Sequence, residues 1–301
     1  MTTKQTCKEI SRRDFLRLSA AAAGAAVFMG PASAVPLFAE SDGAGNVDVN
    51  SLPATLFDVS RCVGCRSCEE ACVLAKDRHP TAEDWEKLSA NRYSFIDEVE
   101  VAPRPRWVQK QCMHCLEPAC VAACTVGALK KTPEGVVVID KSKCFGCRYC
   151  QYACPFNVPA YDWADPFGIV HKCDFCIENQ RMGEPIACVA ACPTGALDFG
   201  TRGEMLALAH NRIKANPRIY VDHVYGEFEV GGTRRLYISD VNMSMLGLRN
   251  LPHDAVPPKT EAVMGKTPVI AAGVAGVATA IYALVGRRNE KRSIDVEESQ
   301  S

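Results

Sequence analysis

Cysteine carries the chemistry of this chain. Sixteen of its seventeen cysteines lie between Cys62 and Cys192, in four groups of four. The spacings are C-x2-C-x2-C-x3-C (Cys62, Cys65, Cys68, Cys72), C-x2-C-x4-C-x3-C (Cys112, Cys115, Cys120, Cys124), C-x2-C-x2-C-x3-C-P (Cys144, Cys147, Cys150, Cys154) and C-x2-C-x11-C-x3-C-P (Cys173, Cys176, Cys188, Cys192). A 4Fe–4S cube needs a thiolate at each of four corners, and a C-x2-C-x2-C loop can wrap three of them. In two-cluster ferredoxins the fourth Cys, three residues on and followed by Pro, ligates the other cluster. Pro155 and Pro193 obey that rule; Val73 and Thr125 stand in the same place after groups one and two. Sixteen thiolates supply four 4Fe–4S clusters, and a chain with four clusters is most simply a path for electrons.

Two blander chemistries compete. Zinc sites use two C-x2-C-type pairs set further apart, with one tetrahedron per four ligands. Three Cys within seven residues, as in groups one and three, suit zinc poorly. Seventeen Cys in 301 residues is sparse for a disulfide scaffold, and such scaffolds do not repeat this unit. Cys7 stands apart, before an apolar stretch, and reads as an incidental residue of a leader.

Short strands and short helices must position these loops, so the expected fold class is α+β: tandem ferredoxin-like 4Fe–4S modules with insertions, plus one C-terminal transmembrane helix. An internal repeat supports this, because Cys-Thr-Val-Gly-Ala-Leu (124–129) returns as Cys-Pro-Thr-Gly-Ala-Leu (192–197). Lys130 to Asp140, with Pro133-Glu134-Gly135 at its turn, reads as a hairpin. Asp77 to Arg106 reads as an insertion. Met205, Ala209 and Ile213 at i, i+4, i+8 predict a helix over 203–215, stopped by Asn216-Pro217. Arg218 to Asp240 looks strand-like, with Gly231-Gly232 as a turn. Ser41 to Pro53 is a Gly/Asp/Asn-rich linker.

The two ends carry addresses. Arg12-Arg13, followed by Phe15-Leu16 and an Ala-rich apolar run, form a bacterial twin-arginine signal, with Ala34 or Ala39 as the cleavage position. That route carries folded proteins, so clusters can be inserted before export to an oxidising compartment where free thiols would pair. Thr267 to Gly286 is a run of 20 residues without a charge, about 30 Å as a helix, the thickness of a bilayer core. Arg287, Arg288, Lys291 and Arg292 follow and place the C-terminus in the cytoplasm. The expected plan is a signal over 1–34, a linker over 35–54, a cluster domain over 55–240, a tether over 241–266, a transmembrane helix over 267–286 and a cytoplasmic tail over 287–301. The bulk then lies on the periplasmic side of the inner membrane. Gly276 and Ala280 form a small-x-x-x-small pair, a weak hint of a partner helix.

No catalytic set accompanies the cysteines: no phosphate-binding Gly loop, no nucleophile with its base, no unmatched ligand cluster. The net charge of −1 and the lack of a basic tract argue against nucleic acid as a partner. Around the thiols, His114 and His171 read as packing or surface residues rather than ligands. Lys110, Arg148 and Lys172 are candidates to stabilise reduced clusters. Trp107, Tyr149, Tyr152, Tyr161 and Trp163 read as packing rather than relay residues.

The chain resembles the four-cluster ferredoxin-like subunits of bacterial respiratory oxidoreductases, most of all the HybA-type subunits of periplasm-facing, membrane-bound nickel–iron hydrogenases. Lys110-Gln111-Cys112-Met113-His114-Cys115, Cys144-Phe145-Gly146-Cys147-Arg148-Tyr149-Cys150, Pro155-Phe156-Asn157-Val158-Pro159, Pro166-Phe167-Gly168, His171-Lys172-Cys173, Phe199-Gly200-Thr201-Arg202 and Tyr225-Gly226-Glu227 carry the resemblance. It implies nested ligand sets: Cys62, Cys65, Cys68 with Cys192; Cys173, Cys176, Cys188 with Cys72; Cys112, Cys115, Cys120 with Cys154; Cys144, Cys147, Cys150 with Cys124. It also implies a non-catalytic subunit passing electrons from the hydrogenase small subunit, itself bound to the large subunit, to an integral membrane quinone-reducing partner. A molybdenum or tungsten enzyme, such as a formate dehydrogenase or a nitrite or polysulfide reductase, is the alternative partner. A purely structural role for the clusters is the third reading.

Overall fold

The computed structural model describes residues 48–258, 260 and 266–298; the signal and most of the linker lie outside the described residues. The elements in chain order are β1 (Pro53–Asp58), α1 (Ser67–Ala75), β2 (Ser94–Val99), β3 (Arg106–Gln111), α2 (Ala119–Ala122), β4 (Leu129–Lys131), β5 (Val137–Ile139), α3 (Tyr149–Ala153), β6 (Ala160–Tyr161), β7 (Val170–His171), α4 (Ile177–Arg181), α5 (Ala187–Ala190), β8 (Leu197–Thr201), α6 (Arg202–Ala215), β9 (Arg235–Ile238) and α7 (Thr267–Glu298).

The three-stranded sheet is ordered β8-β1-β9, with β1 antiparallel to β8 and parallel to β9. Side chains alternate across it with the period of two that a strand imposes. Ala54, Leu56, Leu236 and Ile238 face Met205, Ala209 and Ile213 of α6. Phe57 and Tyr237 face the other way, into the core that holds Cys68, Cys176 and Cys188. The predicted helix is there, its apolar stripe spaced as expected. Thr201 caps it: its hydroxyl accepts from Glu204 N at 3.3 Å, and the Glu204 carboxylate accepts from Thr201 N at 2.8 Å. That reciprocal pair satisfies backbone donors a helix start leaves open.

Short helices pair across long sequence distances. α1, which carries Cys68 and Cys72, packs on α5, which carries Cys188 and leads to Cys192. α2, which carries Cys120 and leads to Cys124, packs on α3, which carries Cys150 and leads to Cys154. The predicted hairpin forms as β4 and β5.

Three segments differ from their sequence expectation. The 77–106 insertion contributes β2, which pairs with β3, and buries Tyr93 and Ile96. Its buried Arg92 pairs with Glu69 of α1 and lies over Trp85, 4.2 Å from the ring centre. The 218–240 stretch is strand only at β9. Its earlier part is a looping segment in which Val230, Gly231 and Gly232 all have positive φ, and Val230 N and Gly231 N donate to the Pro252 and His253 carbonyls. The segment expected as a polar tether begins inside the core, where Met243, Leu246 and Leu248 are buried.

α7 runs for 32 residues, past the basic cluster that ends the apolar stretch. Its section Val269–Gly286 is long and apolar enough to cross a membrane. Val269, Ile270, Val274, Val277, Ile281 and Leu284 are all exposed, an apolar surface suited to lipid.

Candidate metal centres

The four cysteine groups share one backbone device. In each leading C-x2-C, the residue before the second Cys is left-handed: Gly64 (φ 68°), His114 (φ 46°), Gly146 (φ 74°) and Phe175 (φ 59°). That turn aims successive side chains toward one point. Groups one and three repeat it at the next step, where Arg66 and Arg148, also left-handed, open α1 and α3. His114 and Phe175 accept a conformation in which L side chains are uncommon. They pack on one another with ring centres 4.9 Å apart, in the interior between the groups.

These loops and the helix pairs bring the cysteines into four gatherings. Cys124, Cys144, Cys147 and Cys150 line one cavity; Cys72, Cys173, Cys176 and Cys188 line another, with Arg235 at its wall. Cys62, Cys65, Cys68 and Cys192 are near enough for their charges to repel, and so are Cys112, Cys115, Cys120 and Cys154; Cys68 also lies within reach of Cys188, and Cys120 of Cys150. Burial, reinforced by those neighbours, pushes the thiols of Cys68, Cys120 and Cys150 up to about 12. Alone, such groups do not ionise at neutral pH; four thiolates at one point require a strongly positive centre.

The donor set fits iron–sulfur cubes. All sixteen cysteines from Cys62 to Cys192 are free thiols. Three Cys within seven residues, at Cys62–Cys68 and at Cys144–Cys150, suit a cube better than a single tetrahedral zinc. The charge balance agrees. Lys172, Arg234 and Arg235 are buried beside the gatherings, and among the described residues none of them forms an ion pair. Lys172 donates to the Val137 and Cys173 carbonyls. Buried cations of this kind require an anionic partner, and thiolate-bound clusters supply one.

The remaining singled-out residues fall as follows. His114 is buried; its Nδ1 accepts from Val137 N at 3.2 Å. Burial, then the charges of Lys172, Arg235 and Arg234, push it well below the usual imidazole range, so it is a neutral packing residue. His171 is buried too, its Nδ1 3.1 Å from the Tyr93 hydroxyl. Lys110 points away from the sulfurs, to the Leu246 and Gly247 carbonyls. Arg148 lies over Trp163, 4.7 Å from its ring centre. Trp107 covers Gly64 and Tyr161 covers Gly146, as packing residues; Tyr149, Tyr152 and Trp163 are instead exposed.

Arg234 and Arg235 were not legible as site residues within a strand-like stretch. The signal was present: two consecutive charges open an otherwise apolar strand, Leu236-Tyr237-Ile238, and a charge inside such a strand must be met.

Residues 9–29 match the twin-arginine translocation pathway signal sequence, which marks the chain for export, and residues 105–202 match the family described as 4Fe-4S dicluster domain. The chain is 39% identical over 254 residues to a protein of Nitratidesulfovibrio vulgaris, covering 78% of this chain and 67% of that one. It is 36% identical over 206 residues to the nitrate-inducible formate dehydrogenase iron-sulfur subunit of Escherichia coli strain K12, covering 64% and 69%. To the hydrogenase-2 operon protein HybA of Escherichia coli O157:H7 it is 34% identical over 283 residues, covering 80% of this chain and 84% of HybA. Export signal, cluster-binding cysteines and a match running most of the length of both chains agree: the protein belongs to the HybA-type family of iron–sulfur electron-transfer subunits.

Proposed function

We propose that the chain holds four 4Fe–4S clusters as a linear relay, built from two tandem ferredoxin-like modules. Cys62, Cys65, Cys68 and Cys192 hold one cluster; Cys72, Cys173, Cys176 and Cys188 the second; Cys112, Cys115, Cys120 and Cys154 the third; Cys124, Cys144, Cys147 and Cys150 the fourth. When bound, each cluster accepts and releases one electron. The chain spaces the clusters, shields them and sets their charge environment; it performs no catalysis of its own.

The observation that carries this reading is the crossing of partners between groups. Cys68 and Cys72 share α1, and Cys188 and Cys192 flank the end of α5, so the first two sites adjoin; α2 and α3 join the last two in the same way. Cys173 and Cys112 lie within electrostatic reach and link the halves. Each outer site has one exposed cysteine, Cys65 or Cys147, beside a buried one, Cys68 or Cys150; the inner sites have none exposed, with Cys112, Cys120, Cys173, Cys176 and Cys188 buried. The outer two sites therefore serve as ports and the inner two as the insulated middle.

The relay takes electrons from the small subunit of a periplasmic nickel–iron hydrogenase and delivers them to an integral membrane subunit that reduces quinone. The 267–286 helix anchors it, with the cluster domain in the periplasm and the tail in the cytoplasm. The HybA match spans 80% of this chain against 64% for the formate dehydrogenase subunit, and that breadth supports the hydrogenase reading; the 36% identity of the latter, against 34%, supports the alternative. Purification from membranes in mild detergent tests it: a co-purifying nickel–iron large subunit is expected, and a molybdopterin protein in its place would transfer the same relay to the alternative enzyme.

A further inference from the structure

A relay needs thiolates at suitable spacing; it does not need a cation at its midpoint. Yet Arg235 is buried there, opposite Thr55 in the parallel pairing of β1 with β9. Its Nε donates to the Cys112 carbonyl at 3.0 Å, one Nη to Thr55 Oγ1 at 3.2 Å and the other to Cys173 Sγ at 3.6 Å. One guanidinium thus holds the main chain of Cys112 and the thiol of Cys173, one residue from each interior site. Its plane lies 4.8 Å from the Phe175 ring centre, and Arg234 lies 4.9 Å from the same ring. Two more buried cations stand close by, Arg234 within reach of Cys112 and Lys172 within reach of Cys120, whereas Lys76 is neutralised by Asp174 at 2.8 Å. Arg234 N also donates to the Met113 carbonyl and Leu116 N to the Gly232 carbonyl, so the backbone beside Arg235 is stitched to the group-two loop and fixes the charge in place.

Reducing a thiolate-bound cluster adds one negative charge, and a fixed cation in a low-dielectric interior favours that state far more than one in water. We propose that Arg235 is a positioning and tuning residue that holds the reduction potentials of the two interior sites above those of the two outer ones and close to each other, so that an electron passes between the halves of the chain without a steep step. The inference rests on the four ligand sets proposed above.

The test is an EPR-monitored redox titration of the complex purified from membranes, for the native chain, Arg235→Gln and Arg235→Lys. Outer-site signals are identified by their loss in Cys65→Ser and Cys147→Ser. In Arg235→Gln the two interior midpoints are expected to fall while the outer two stay; four unmoved midpoints at full iron content would overturn the proposal. If Arg235→Gln assembles without interior clusters, Arg235→Lys decides. Its ammonium keeps the charge without spanning both sites, so the interior midpoints are expected to separate; unmoved midpoints, or loss of the clusters here as well, would reduce Arg235 to a structural role. A native chain with fewer than four reducible clusters would instead refute the four-cluster reading itself, independently of the variants.

Discussion

Gly146 presses against the carbonyl oxygen of Gly168 so closely that a β-carbon on Gly146 would collide with it, and with Tyr161 at 2.8 Å. Gly146 also has φ 74° and lies between Cys144 and Cys147, two proposed ligands of the fourth site. Gly146→Ala is therefore expected to open the Cys144–Cys150 loop and lose that cluster, taking iron from about sixteen to about twelve per chain. Gly127→Ala is the control: it has φ 62° but nothing within 4 Å. It is expected to cost roughly 1–2 kcal/mol of backbone strain and keep full iron. Iron analysis of the two purified variants checks this.

Cys192 follows Cys188 by one turn yet is assigned to a different cluster. Cys192→Ser is expected to change the same EPR signal as Cys65→Ser and to spare the one changed by Cys176→Ser. A Cys192→Ser spectrum that matches Cys176→Ser would contradict the crossed ligand sets.

Cluster removal should not loosen the protein evenly. The core between the sheet and α6, formed by Ala54, Leu56, Leu236, Ile238, Met205, Ala209 and Ile213, contains no cysteine. Among the described residues, the other three buried groups of apolar side chains all include cysteines proposed as ligands. After oxidative removal of the clusters under chelator, hydrogen exchange is expected to accelerate strongly in 62–72, 112–124, 144–154 and 173–192. Protection should persist longest in α6, β1 and β9. Uniform loss of protection would show that the cysteine-free core has no stability of its own.

The capping box opens α6, whose apolar face packs in the cysteine-free core. Thr201→Ala removes the hydroxyl that accepts from Glu204 N and is expected to cost about 1 kcal/mol. The thermal midpoint should fall by about 2–4 °C, with iron content and EPR spectrum unchanged.

Elements specified by local pattern were legible in the sequence. The four cysteine groups, the 130–140 hairpin with its Pro-Glu-Gly turn and the α6 stripe all follow from spacing within 20 residues or fewer. Pairings that depend on distant chain were not. β9 joins β1 across some 180 residues, with Thr55 opposite Arg235, and no periodicity within 218–240 encodes that partner. The same stretch has strand-like residues but loops, because left-handed Val230 and Gly231 and the Pro252 and His253 carbonyls capture its backbone. In the site, the candidate cysteines stand out by residue type and spacing, whereas the grouping of four to a site came only with the family resemblance. The left-handed roles of His114 and Phe175 emerge only when they are aligned with Gly64 and Gly146, and Arg235 acquires meaning only once Cys112 and Cys173 are seen on either side of it.

The proposed relay puts four clusters on the electron path of a membrane-bound hydrogenase. The decisive measurement is rapid-freeze EPR of the anaerobically purified complex, mixed with hydrogen in the presence of a quinone acceptor. All four clusters of this chain are expected to be reduced and reoxidised at least as fast as quinone is consumed. Clusters that keep their oxidation state while hydrogen is oxidised and quinone reduced would contradict it.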